Sequence, residues 1–453
     1  MYLAASAPTV RLHQRVDRKY SEEIPYLDFP DAGGFEDDGL SAFNKNNTRW
    51  GISMFETRTG NTLSSHSPEA AELYQKGVDL ILGSESGAAE TLDRALELDK
   101  NFALAAAARY HVAQDVGEAD SEKFRTLAER AALNATDWER EHIDVLIGLI
   151  DRPDAALAKA QAYIASTPSD LLVISQLTGN LFFYGGPDKL EAVLKVFESV
   201  EQALGDDWAY LARLGFAASE AGQHKRGREL IERALEIRPQ ALYSIHGLAH
   251  VLHDEGAAKE SAELLQDWLS LHEPSAREGQ MYGHVQWHLA LAEWQLGDCE
   301  AAMRRYLDFC APETTTCGPI LTLADCGGFL LRNYLHTGKT RALGSNVLAH
   351  IERVWGTMGH PFIVLHVAGL YAAAGDMAGL KRCEQTIATT EKGKNRDVSL
   401  ALVSALGDFV TGNYQRSTQT LASISSGARV GIGGSNVERE LVDLLEMNCR
   451  ARH

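Results

Sequence analysis

The sequence predicts an all-α solenoid, about seven stacked helix hairpins, behind an irregular N-terminal arm. Three observations carry that expectation. From Ser67 to the C-terminus, apolar residues recur at spacings of three and four, the period of an amphipathic helix. Ala and Leu dominate, and Gly or Pro interrupts every 12–18 residues, a length that suits one helix. The pattern repeats at about 34 residues, so its units stack on one another instead of surrounding a single core.

Taken in order, residues 1–47 hold Pro8, Pro25, Pro30 and the acidic, Gly-rich run 31–39, which break any period and read as an extended arm. Trp50, Ile52 and Phe55 can pin residues 48–66 to the body, either along a groove as a lid or along the outer surface. The arm is therefore drawn as 1–66 and the helical array as 67–453. The repeat is clearest after Gly222: Gly227, Ile231, Ala234–Leu235 and Pro239 follow at offsets 5, 9, 12–13 and 17. A small residue lets two helices approach, a bulky one fills the gap, another small one admits the next helix, and Pro stops it. This is the spacing of a tetratricopeptide unit. Gly256 opens a second copy with Ser261, Leu265 and Trp268, and Gly297 a third with Ala302, Tyr306 and Phe309. Earlier copies contain Ala88, Leu92 and Ala95, then Ala156, Ala160, Tyr163 and Pro168; later ones turn near Gly338, Gly375 and Gly412. No strand is expected beyond the arm.

With 453 residues, 45% of them hydrophobic, the chain has ample material for buried surfaces. Its net charge of −19, with dispersed acidic residues, argues against nucleic acid or an anionic membrane as a general partner. No run approaches the ~18–20 apolar residues of a membrane span, and the N-terminus lacks the basic start of a signal peptide. The six cysteines, Cys299, Cys310, Cys317, Cys326, Cys383 and Cys449, form no Cys-x-x-Cys pair and read as reduced thiols of a cytoplasmic protein. Dinucleotide, phosphate-loop and serine-elbow motifs are absent from the sequence.

The chemistry concentrates in residues 241–296. His246 and His250, and again His284 and His288, lie four residues apart, which stacks each pair on one helical face; His253 lies near the first stripe. In such an array the first helix of each hairpin lines the concave side, and all five histidines fall on first helices. Counted back from the turn glycines, His246 is ten residues away, His288 and His366 nine, and His284 and Asp325 thirteen. At ~1.5 Å rise per residue these five lie within about 6 Å in depth, which predicts a His-rich concave pocket. Three readings stay open: a divalent metal such as zinc or iron held by His246, His250, His284 and His288, acid–base catalysis by the same histidines with Asp325 as the orienting carboxylate, and a structural or peptide-binding groove. Tyr243, Trp287 and His366 join the candidate lining, although Trp287 and Trp294 also suit a core. Gly433, Gly434 and Ser435 precede a helix and either cradle an anion, with Arg332 or Arg439 as its holder, or simply permit a tight turn. The expected partner is a small molecule in the pocket; the alternative is a non-catalytic scaffold that binds a peptide or protein, and a homo-oligomer is compatible with both.

The chain resembles the tetratricopeptide repeat protein 38 family from about residue 50 to its end. The resemblance rests on Gly60-Asn-Thr-Leu-Ser-Ser-His-Ser-Pro-Glu-Ala70, Asp137-Trp-Glu-Arg-Glu-His142, His246-Gly-Leu-Ala-His250 and His284-Val-Gln-Trp-His288, then single matches at Asp325, Arg332 and His366. Gly433-Gly-Ser-Asn436, followed by Arg439 and Glu440, matches the family's C-terminal signature. The resemblance implies the solenoid fold and no particular activity. Val364 stands where the family carries an acidic residue, which removes a carboxylate that would orient His366.

Overall fold

Apolar and small residues at helical spacing fold here into a run of antiparallel helix pairs. The computed structural model describes residues 53–452, apart from 185, 274, 391 and 392. Readings placed on residues 1–52, Trp50 and Ile52 among them, lie outside the described residues. Helix α1 (Pro68–Gly83) pairs with α2 (Ala88–Leu98), α3 (Ala103–Val116) with α4 (Glu122–Ala132), and α5 (Asp137–Asp151) with α6 (Pro153–Ser166). Next, α7 (Leu171–Tyr184) pairs with α8 (Lys189–Ser199), and the short α9 (Glu201–Leu204) leads into α10 (Trp208–Glu220) and α11 (His224–Ile237). The histidine-bearing stretch forms α12 (Leu242–Asp254), α13 (Ala258–His272), α14 (Tyr282–Gln295) and α15 (Cys299–Arg305). Three more pairs follow: α16 (Pro319–Thr337) with α17 (Ser345–Val354), α18 (Pro361–Ala374) with α19 (Met377–Ala388), and α20 (Lys394–Val410) with α21 (Tyr414–Ala422). The short α22 (Ser426–Val430) and a final helix, α23 (Asn436–Arg450), complete the chain.

The pairs α1–α2 through α20–α21 number ten, against the seven or so expected. The shortfall has a local cause. The pairs left out of that count include α3–α4, whose turn runs from Gly117 to Ser121, so that the buried Phe124, Ala128 and Ala131 fall outside the repeat's offsets from the turn glycine.

Before α1, strands β1 (Ser53–Glu56) and β2 (Thr62–Ser65) form an antiparallel hairpin, the one sheet among the described residues. Leu63 is fully buried, and the Ser64 backbone N–H donates to Glu139 Oε1 at 2.7 Å. Glu139 also closes a capping box with Thr136 at the start of α5, so one buried carboxylate fixes both the hairpin and a helix terminus.

Helices α10, α12, α14, α16 and α18 are buried on nearly every side, whereas α11, α13 and α19 expose one face. The first helices are thus the inner ones. The apolar interior falls into one large cluster between Leu63 and Ala241 and another between Trp287 and Cys449, with smaller clusters around α12 and α13. The break lies where the histidines are.

The array also meets itself. Helix α1 touches α12; Arg238 holds Glu85 through two bonds of 2.5 and 3.0 Å, and Arg213 donates to the Leu82 carbonyl at 2.9 Å. Farther along, Arg353 donates to the Gly117 carbonyl at 3.3 Å, and α23 packs on both α12 and α16. No helix among the described residues is long and apolar enough to cross a membrane, and the described cysteines form no disulfide.

Candidate metal centre

Two neighbouring inner helices, α12 and α14, lie side by side, so residues one turn apart on each face their counterparts. His246 and His250 on α12 thereby meet His284 and His288 on α14. Ring centroids are 4.5 Å apart for His246–His250 and His250–His288, 4.8 Å for His284–His288 and 4.9 Å for His246–His284. The Nε2 atoms of His246 and His250 approach to 2.8 Å. One ring nitrogen from each of the four lies within 4.8 Å of the others, and all four residues are buried.

Carboxylates stand behind two of these rings. His284 Nδ1 is 2.6 Å from Asp325 Oδ1 on α16, and His250 Nδ1 is 3.2 Å from Glu220 Oε1 at the end of α10. A proton on His284 Nδ1 serves Asp325 and leaves Nε2 with a free lone pair, whereas His250 Nδ1 and Glu220 Oε1 face each other without hydrogen-bond geometry and have no other partner among the described residues. Trp287 stacks on His284 with ring planes 11° apart and donates its indole N–H to the Asp325 carbonyl at 3.0 Å, which fixes the helix that carries the carboxylate. His288 Nε2, His246 Nδ1 and Asp325 Oδ2 are buried without a hydrogen-bond partner among the described residues.

Burial, then the neighbouring imidazoles, pushes His246 and His288 well below the ordinary histidine range, so both are neutral near pH 7. Burial acts the same way on His284, but the Asp325 carboxylate outweighs it and raises this imidazole. The arrangement is a set of buried nitrogen donors, two of them with carboxylates behind them. That is the donor chemistry of a transition-metal site: imidazole suits zinc, iron, copper and nickel, and carboxylate-backed histidine is its usual support.

The other residues singled out in the sequence sit elsewhere. His253 faces Glu440 at 3.2 Å and is not one of the four. His366, at matching depth on α18, donates from Nδ1 to the Phe362 carbonyl at 2.8 Å and packs against Gly327, where an added Cβ would lie 2.8 Å from the His366 Cβ. Tyr243 borders the cluster, its ring 6.0 Å from His246, with the Arg213 guanidinium 4.2 Å over its face.

Of the two readings of the Gly433–Ser435 run, the contacts match the tight turn. The Ser435 backbone N–H and hydroxyl both donate to Glu438 Oε2, at 2.7 and 2.9 Å, in a capping box that opens α23. The Gly434 carbonyl accepts from the buried Lys189 at 2.6 Å and from Arg439. Gly433 and Gly434 have φ of +94° and +71°, and a Cβ on Gly434 would come within 2.4 Å of the Phe362 ring. The glycines make a tight turn, and the polar groups are spent within the protein. Arg332 is spent too, on the carbonyls of Gly328 and Val437 and on Glu440 at 3.0 Å.

Sequence reasoning missed Glu220. It lies two residues before its turn glycine, whereas His250 lies six before its own, about 6 Å apart in depth by the helical rise. A long side chain closes that gap. Its position inside an Ala-rich inner helix was the available signal.

No protein-family model matches the chain. Among solved structures, it is similar to a human IFIT1 dimer with m7Gppp-AAAA, at 14% identity and TM-score 0.42 over 70% of this chain and 72% of that one. It is also similar to a monomeric IFIT1 mutant with Gppp-AAAA, at 14% identity and TM-score 0.38 over 83% of this chain and 85% of that one. These likenesses concern the fold. Those IFIT1 structures hold m7Gppp-AAAA or Gppp-AAAA, and the exclusion of nucleic acid drawn above from net charge is withdrawn. A summed charge of −19 describes the whole surface, whereas one local cleft suffices for a short oligonucleotide.

Proposed function

We propose that this chain is a repeat-built metal-binding protein in which His246, His250, His284 and His288 hold one divalent transition-metal ion, such as zinc or iron, inside the array. One observation carries the reading: four buried imidazoles from two helices converge to within 4.8 Å, with Asp325 and Glu220 behind two of them. Bound there, such an ion supplies Lewis-acid chemistry to a small molecule that reaches it. The chain's own residues do the rest. Asp325 orients His284 and keeps its Nε2 free, Glu220 stands 3.2 Å behind His250 Nδ1 in position to do the same once that nitrogen carries the proton, and Trp287 with the apolar walls limits water. The sequence motifs shared with the tetratricopeptide repeat protein 38 family support placing the chain near that group, and the same histidines lie within them.

A second reading is a non-catalytic scaffold. The helix-hairpin architecture favours it, because such arrays are built as extended binding surfaces, and a cluster of histidines does not by itself make an enzyme. Metal content of protein purified without an affinity tag separates the two. About one equivalent of metal, lost in His250→Ala and in His288→Ala, is the expected result. Wild-type protein that carries no metal and takes up none of zinc, iron(II), cobalt(II) or copper would leave the scaffold reading in place.

A further inference from the structure

We infer that the C-terminal helix α23 is a working part of the histidine site, and that Glu220 is the positioning residue that joins the two. This inference rests on the metal reading above and concerns the same site.

Glu220 closes α10 with a fully buried side chain. Its two oxygens point to two different parts of the molecule. Oε1 faces His250 Nδ1 at 3.2 Å. Oε2 accepts the Asn436 backbone N–H at 2.7 Å, a donor in the first turn of α23. The Asn436 side chain returns two bonds, to the Glu220 carbonyl at 3.2 Å and to Asp254 Oδ2 at 3.1 Å. The Arg439 guanidinium stands 3.8 Å from the same carboxylate.

A buried carboxylate is costly unless its lone pairs are met. Glu220 meets that need at Oε2 through α23, whose helix N-terminus and Arg439 favour negative charge, while Oε1 and His250 Nδ1 are left facing each other with no other hydrogen-bond partner among the described residues. The carboxylate is therefore held in place only when α23 is docked. Held in place, its Oε1 stands 3.2 Å behind His250 Nδ1 while Nε2 of that ring faces His246, 2.8 Å away. A metal held by His250 through Nε2 would keep the proton on Nδ1 and direct it to the waiting Glu220 oxygen. Metal and helix thus act on one side chain from opposite ends, and by linkage each favours the other. The far flank of α23 is secured independently, since Glu440 bonds both His253 and Arg332. Loss of Glu220 alone leaves those anchors intact.

The test uses the full chain without a tag and cobalt(II) as the probe. Cobalt is titrated by its absorption bands, and amide hydrogen exchange is followed over residues 436–450 with and without the metal. In the wild type, cobalt should slow exchange across 436–450 and leave Met377–Ala388, on the outer surface, unchanged. Glu220→Gln should weaken cobalt binding about 10–100-fold, shift the absorption bands, and abolish the slowing. Asn436→Ala keeps the carboxylate and removes only the return bonds, so it gives a milder, several-fold loss even if Glu220→Gln folds poorly. Equal cobalt affinity and identical bands in wild type and Glu220→Gln would overturn the inference, as would exchange over 436–450 that ignores the metal. Failure of the wild type to bind cobalt at all would instead overturn the four-histidine reading beneath it.

Discussion

Replacing His288 by Ala separates a packing role from a ligand role, because the two predict different responses to added metal. His288 is 3% exposed, and its ring lies 4.5 Å from His250, 4.8 Å from His284 and 5.1 Å from Trp287. Truncation leaves a void of about one imidazole ring, and losing a buried ring costs roughly 3–5 kcal/mol. It also removes a buried nitrogen that has no hydrogen-bond partner, which returns about 1–3 kcal/mol. In chelator the variant should therefore lose only about 2 kcal/mol. With metal at a thousand times its dissociation constant, the wild type gains about 4 kcal/mol and the three-histidine variant far less. Thermal melts of both proteins, in EDTA and in excess zinc, read the double difference directly. Zinc should raise the wild-type midpoint by several degrees and barely move the variant. Equal shifts in the two proteins, or no shift in either with any of the metals named above, would refute the ligand assignment.

Three further expectations concern the elements that build the site. Burial pushes the Glu440 carboxyl up, but the His253 bond and the Arg332 guanidinium outweigh it and hold it at about 2. A depressed carboxyl stabilises above its unfolded value and loses that contribution as pH falls through the folded one. The stabilisation should fade between about pH 4.5 and 2, and Glu440→Gln should flatten that slope by about 1–2 kcal/mol after allowance for solvent screening, measured by urea unfolding against pH. Gly434→Ala forces a left-handed backbone on a side chain that meets the Phe362 ring; we expect a loss of about 2–5 kcal/mol in the same assay. Glu139→Ala strips the acceptor from the Ser64 and Thr136 backbone N–H groups, which should cost about 2–4 kcal/mol and expose the β1–β2 hairpin to limited proteolysis.

The repeat was legible because helix packing imposes size at fixed offsets: Gly227, Ile231 and Ala234 are all buried, as a small–bulky–small alternation requires. The convergence of the four histidines was legible for a similar reason. Spacing of four fixes a face, and equal distance from a turn glycine fixes depth; His284 and Asp325, both thirteen back, do pair at 2.6 Å. Depth alone was insufficient for His366, since it says nothing about which way a ring turns, and here Nδ1 turns to its own helix backbone. The role of α23 was hidden because contacts such as Asn436 with Glu220 join residues more than two hundred positions apart, and no local period encodes them. The Gly433–Ser435 run stayed open between two readings for the converse reason. A helix N-terminus rich in glycine looks the same whether its donors serve a ligand or, as here, the protein's own Glu438.

Most solenoids can gain or lose a unit with little harm, since each repeat answers only to its neighbours. The bonds from Arg238 to Glu85 and from Arg213 to the Leu82 carbonyl deny this chain that freedom. A duplicated or deleted hairpin anywhere between them would carry the two ends of each clasp out of register. Length here is under the same constraint as in a closed barrel, where the number of staves is set by the need to meet. Variation in such a protein is expected in the outer helices and turns, with the count of hairpins held constant.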